Sequence, residues 1–152
     1  MIHYCFLINR LGKCRMEQWY DIVSEKDQAK ILRETTALVL GRTSKLCNFI
    51  EYRGLKIVYK RYASLFFIIA IDPTDNEFIT LEIIQQYVES LDTYFGSVCE
   101  LDLVFSFHKA YYLLYELIMS GEIMETSKKV IYQAMMSQDL NEAVDLENVP
   151  EV

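Results

Sequence analysis

With 152 residues, 52% of them hydrophobic and only 5 glycines and 2 prolines, the chain is long enough for one packed core and is unlike a disordered polymer. A formal charge of −7, from 15 basic against 22 acidic residues, argues against a nonspecific nucleic-acid binder, which depends on a basic footprint. No apolar run approaches the ~20 residues needed to cross a bilayer, and the apolar start lacks the small-residue cleavage site of a signal peptide. The expectation is a cytosolic protein, or one held on a membrane by partners.

In chain order, residues 2–8 are β-rich and Asn9-Arg10-Leu11-Gly12-Lys13 supplies turn chemistry, so with 14–20 they predict a hairpin. Ser24 followed by Asp27 resembles an N-cap. Ile31, Leu32, Leu38 and Val39 keep helical spacing up to Gly41, which places a first helix at about 24–40. Residues 47–52 and 55–60, joined by Arg53-Gly54, predict a second hairpin. The stretch KRYASLFFIIAID, from Lys60, then reads as a fifth strand behind a charged, small-residue lead-in, and Pro73 ends it. Thr74-Asp75-Asn76-Glu77 has the form of a capping box, opening a second helix along Leu81, Ile84, Val88, Leu91 and Phe95 to Gly96. A third helix is predicted over 104–119, with apolar stripes at Phe105, Tyr112, Tyr115, Met119 and at Phe107, Tyr111, Leu114, Ile118. A short last helix follows at 126–136. The boundaries expected are one domain over 1–138 and an acidic, flexible tail over 139–152.

Sequential hairpins predict an antiparallel sheet, and hence an α/β (α+β) class with five strands. Leu65 to Ile71 is apolar without alternation, which requires cover on both faces of its strand. The first helix is expected on one face and the later helices on the other.

The sequence offers little chemistry. It contains no Gly-rich phosphate loop, no H-E-x-x-H, no G-x-S-x-G and no calcium loop, so no enzyme and no cofactor or metal is expected. Cys5, Cys14, Cys47 and Cys99 form no C-x-x-C pair and read as four buried free thiols. His3 and His108 have no nucleophile at catalytic spacing and read as structural or surface residues. Arg53, Lys56, Lys60 and Arg61 on one hairpin read as an ion-paired or solvated strand edge, with an anion-binding patch as the alternative.

Longer wording carries more. Gln18-Trp19-Tyr20, CNFIEYRGLKIVYKRYASL from Cys47, NEFITLE from Asn76, YFGSVCELDLVF from Tyr94 and ETSKK from Glu125, in this order, closely resemble the small (sigma) subunits of clathrin adaptor complexes. The resemblance is nearest to the type 1 complex of the trans-Golgi network and endosomes. Ser97 stands where the plasma-membrane type usually shows Asn, and the insertion usual in the type 3 complex near Arg53-Gly54 is absent. Gln18, where Lys is common, and Tyr115, where Asp is usual, depart from the family pattern.

The resemblance implies a longin-like fold and a heterotetramer in which this chain packs against a large gamma-type adaptin, beside a beta-type adaptin and a medium mu subunit. Clathrin and an Arf-type GTPase would be met through the complex, and membranes only through it. It further implies recognition of acidic dileucine signals in cytosolic tails of membrane proteins. The positions carried over are Arg15 for the acidic residue, Ala63, Leu65, Val88, Val98 and Leu103 for the leucine pockets, and Ser97 near the peptide backbone. Ala63 and Ser64 are expected to be small so that a ligand leucine fits beside Leu65. Periodicity by itself makes Val88 a core residue of the second helix, and Arg15 a surface strand charge. The rival role is that of a longin-like subunit of another vesicle coat or of a small-GTPase exchange factor.

Overall fold

The structure, a computed structural model, describes residues 1–42, 48–119 and 122–123. Its elements are β1 (Ile2–Asn9), β2 (Cys14–Trp19), α1 (Glu25–Leu40), β3 (Phe49–Tyr52), β4 (Leu55–Tyr62), β5 (Leu65–Ile71), α2 (Glu77–Phe95), α3 (Glu100–Phe105), α4 (Phe107–Leu117) and a short ribbon, β6 (Ile118–Met119) with β7 (Glu122–Ile123). The first five strands form one antiparallel sheet in the order β2-β1-β5-β4-β3, so the α/β class and the five-stranded sheet expected from the sequence are borne out.

β5 is the central strand, hydrogen-bonded to β1 on one side and β4 on the other. Because successive side chains of a strand point to opposite faces, its unbroken apolar run divides cleanly. Leu65, Phe67, Ile69 and Ile71 enter a large core with residues of α2, α3 and α4. Phe66, Ile68 and Ala70 face a second core with Val39, Ile31 and Leu32 of α1. Both faces are covered, by the helices the sequence assigned to each.

Local chemistry fixes the corners. Gly12 adopts φ +85°, and a Cβ there would stand 3.2 Å from Thr36 Cγ2 and 3.3 Å from Leu40 Cδ1, so glycine serves both the turn and the approach of α1. Asn9 Oδ1 accepts the amides of Leu11 and Lys13 within that turn. Ser24 caps α1 by accepting from the Asp27 amide, and left-handed Gly96 (φ 70°) ends α2.

Four expectations need correction. The charged lead-in at Lys60 is not the start of β5: Lys60 to Tyr62 finish β4, Lys60 pairs with Phe67, and Ala63-Ser64 is a two-residue hairpin turn. The cap of α2 is Asn76, whose side chain accepts from the amides of Phe78 and Ile79. Glu77 of the expected capping box instead meets Lys56 Nζ at 2.9 Å, because β4 lies beside the helix start. The third helix is two: α3 and α4 break at Ser106 (φ −129°, ψ 44°), and residues 118–119 are strand. That break turns Leu103 into the core, while α4 buries Ala110, Leu113, Leu114 and Leu117; Phe105 of α3 and Phe107 and Tyr115 of α4 stay exposed. Finally, Cys5 is buried, but Cys14 is only half-buried and Cys99 exposed. Cys47, the last helix and the acidic tail lie outside the described residues.

His3 ties two strand ends together. Its Nδ1 lies 2.5 Å from Asp21 Oδ2, just past β2, and its Nε2 lies 2.6 Å from Asp72 Oδ1, just past β5. Burial opposes charge on the ring, but the two carboxylates outweigh it and hold the pKa above the histidine reference of 6.5. Asp72 is held below the usual carboxylate range, chiefly by His3. The histidine contribution is complete below its unfolded value and disappears as pH rises through the raised folded value. The Asp72 contribution is present above its unfolded value and disappears as pH falls through the lowered one. The bridge is therefore strongest between about pH 4 and 6.5. Between about pH 6.5 and 8 the melting temperature of the complex should fall more for the wild type than for His3→Gln. Parallel pH profiles would remove His3 from the account.

Candidate functional site

The family-derived positions come from six places in the fold. Arg15 is on β2, Ala63 in the turn after β4, Leu65 at the head of β5, Val88 on α2, Ser97 and Val98 in the loop after α2, and Leu103 on α3. Folding brings the four large apolar ones into one core cluster, with Leu65, Val88, Val98 and Leu103 exposed by only 0%, 2%, 4% and 1%. The two small residues lie outside it. Ala63 (φ 53°) and Ser97 (φ 84°) are exposed, left-handed, non-glycine positions, each in a tight connection leading to a core member.

The expectation that Ala63 and Ser64 leave an open space beside Leu65 is not met in this conformation. Ala63 occupies the turn itself, and Leu65 is fully covered by its own chain. The apolar wall exists, and its members are packed closely against one another.

Arg15 is already engaged. Its Nε lies 2.6 Å from Glu100 Oε1, which also accepts from Asn9 Nδ2 at 2.9 Å. Asn9 first and Arg15 next hold the Glu100 carboxyl below its usual range, so it stays ionised. A guanidinium has five N–H donors, and pairing through Nε leaves others for a second acid. Glu100 opens α3, three residues before Leu103, so the ion pair connects the charged position to the apolar wall. No sequence pattern marks Glu100 as the partner of Arg15 and Asn9, since 85 and 91 residues separate them from it.

Other candidate chemistry is structural. The basic hairpin is paired: Arg53 Nη2 lies 3.4 Å from Glu34, and Lys60 Nζ lies 2.8 Å from Gln85 Oε1. Burial pushes the Cys14 thiol up to about 11 and the Cys5 thiol higher, so both are protonated and unreactive near neutrality. Among the described residues, no cluster of three or more His, Cys, Asp or Glu could hold a metal ion, and no helix is long and apolar enough to cross a membrane.

Residues 1–142 match the family model described as "Clathrin adaptor complex small chain". The chain belongs to the clathrin adaptor complex small-chain family. Within it, the chain is 55% identical over 139 residues to "AP-1 complex subunit sigma-1" of Arabidopsis thaliana, covering 91% of this chain and 86% of the relative. It is 50% identical over 145 residues to "AP-1 complex subunit sigma-1A" of Homo sapiens, covering 95% and 92%. A solved chain described as "Homology model of the full-length AP-3 complex in a stretched open conformation" superposes with a TM-score of 0.73 at 28% identity, covering 97% of this chain and 98% of the other. Its relatives are adaptor subunits, and the chain is a sigma-type adaptor subunit of the AP-1 kind rather than an enzyme.

For an adaptor small chain, the two departures noted in the sequence acquire a location. Gln18 and Tyr115 line one cavity of about 320 Å³ with Trp19, Tyr20, Tyr111 and Ile118. The two departing positions therefore share one surface, between β2 and α4.

Proposed function

We propose that this chain, within an AP-1-type complex, binds acidic dileucine signals in the cytosolic tails of membrane proteins. One leucine pair would enter between Leu65, Val88, Val98 and Leu103, with Ala63 and Ser97 at the rim and Arg15 facing the acidic residue. The observation that carries this is the convergence of these apolar side chains from four segments into one cluster, linked to Arg15 through Glu100. Burial of each leucine contributes about 1.5–3 kcal/mol, and ordering the peptide offsets much of it. Binding is then weak and reversible, which suits a complex that gains avidity from many receptors on one membrane.

Assembly with large gamma-type and beta-type adaptins and a medium mu subunit belongs to the same proposal, as does peripheral placement at the trans-Golgi network, endosomes and clathrin-coated vesicles. Clathrin and an Arf-type GTPase would be reached through those subunits. The exposed apolar side chains of α3 and α4, Leu101 at 61%, Phe105 at 78% and Phe107 at 57%, support a large partner surface there.

Arg15→Ser tests the polar half. In the assembled complex, affinity for a peptide with an acidic residue, three others and Leu-Leu should fall about twofold to fivefold at low salt, as for a partly exposed pair. The difference should close near 1 M salt, where the screening length is about 3 Å. An unchanged affinity at low salt would remove Arg15 from the site.

A further inference from the structure

The apolar residues of the site are buried, and one side chain bridges the two connections beside them. Asp92, one turn after Val88 on α2, receives the Tyr62 hydroxyl on Oδ2 at 2.5 Å and the Val98 amide on Oδ1 at 2.8 Å. Its backbone carbonyl also accepts the amides of Gly96 at 2.8 Å and Ser97 at 3.2 Å. Tyr62 is the last residue of β4, immediately before the Ala63-Ser64 turn, and its ring packs on the cluster that contains Leu65, Val88, Val98 and Leu103. One carboxylate thus spans the two connections that border the wall, the turn at 62–65 and the loop at 96–99.

Both connections hold a non-glycine residue in the left-handed region, Ala63 at 53° and Ser97 at 84°. Such residues persist where their surroundings over-determine them. Here the surroundings are the Asp92 contacts on one side and, on the other, the Arg61 Nε donation to the Ala63 carbonyl at 3.1 Å. Both are polar and near the surface, whereas the wall beneath is apolar. Opening the turn and loop therefore breaks a few hydrogen bonds that water can replace, and exposes pocket surface that a leucine can cover.

We propose that Asp92 is a positioning residue of the dileucine site: its carboxylate latches the 62–65 turn to the 96–99 loop, and a leucine side chain enters only when that latch opens. This rests on the dileucine assignment above and adds its conformational control. Apparent affinity equals intrinsic affinity scaled by the fraction of open molecules. Weakening the latch must then strengthen binding, which is the opposite of what damage to a rigid pocket would do.

The test uses the assembled complex and a synthetic acidic dileucine peptide, with association and dissociation rates measured by surface plasmon resonance. Tyr62→Phe deletes one hydrogen bond and keeps the ring on the core. It should raise the association rate and lower Kd by about threefold to tenfold, the worth of one such bond, without changing binding of a tyrosine-based peptide. Asp92→Ala, which frees both connections, should act in the same direction. Thr93→Val removes an exposed hydroxyl bond to the Glu89 carbonyl one residue along the helix and should change nothing. Unchanged or weaker dileucine binding by Tyr62→Phe overturns the latch, and if Asp92→Ala fails to assemble, Tyr62→Phe decides alone. A wild-type complex that binds the peptide and loses it with Val88→Asp, yet ignores Tyr62→Phe, sinks the latch and spares the site. A wild-type complex with no measurable peptide binding overturns both.

Discussion

Val88→Asp in the assembled complex should abolish acidic dileucine binding. Val88 is 2% exposed and shares its cluster with Leu65, Val98 and Leu103. An ionised carboxylate placed there loses its hydration among the apolar side chains of that cluster. The alternative is protonation at neutral pH, which still puts a polar group where a methyl surface should meet the ligand. Either course costs several kcal/mol, more than the net affinity a weak tail peptide can spare. The same burial makes the helix itself vulnerable, so the result must separate binding from folding. Val98→Asp provides the separation: Val98 is 4% exposed but sits in the loop after α2, outside the helical stripe. Loss of dileucine binding in both variants, with complex yield and tyrosine-signal binding retained by Val98→Asp, is the expected result. Retained dileucine affinity in a well-assembled Val88→Asp complex would show that the leucine enters elsewhere.

Phe67→Ala should destabilise the chain by about 3–5 kcal/mol, the usual cost of emptying a large aromatic site in a core. Phe67 is 2% exposed on the central strand, and its ring meets Tyr87 edge to face with centroids 6.0 Å apart. Relaxation around the deletion is restricted on every side. β5 is held in register by β1 and β4, with Phe67 opposite Leu7 and Lys60, and Tyr87 is pinned by its hydroxyl donation to the Ala110 carbonyl at 2.7 Å. A small void of about 10 Å³ already borders Phe67, Met16 and Ile84, so the substitution enlarges a space the packing has not closed. Such a loss is a large share of a domain's total stability. The variant complex should assemble in reduced yield and melt well below the wild type, while Phe67→Leu should lie between them. A Phe67→Ala complex that melts with the wild type would mean that partner subunits, rather than this core, hold the central strand.

Much of this fold was legible in the chain. The alternation of turn chemistry and apolar runs determined five strands, two helices and their order, because Asn9 to Gly12, Arg53-Gly54, Ser24 and Gly96 act through contacts within a few residues. The unbroken run at Leu65 to Ile71 determined that something must cover both faces of β5, since a strand exposes one residue in two to each side. The long collinear motifs determined the family, and with it a candidate site that no periodicity would have singled out.

Other features needed the third dimension. The break at Ser106 is hidden in sequence because α3 and α4 are apolar around so much of their surface that the pattern marks no boundary; only docking on the sheet selects which residues are buried. The end of β4 at Tyr62 was obscured because Lys60 to Ser64 run into the apolar stretch with no Gly or Pro to mark the turn, and only pairing with β5 shows where one strand ends and the next begins. The site shows the same division most clearly. The sequence by itself determined which residue types are present, but Arg15 meets Glu100, and Tyr62 and Val98 meet Asp92, only through packing of distant segments. The link between the two connections beside the apolar wall is decided there too, because it depends on a carboxylate positioned by α2 reaching both a strand end and a loop that local propensity does not bring together.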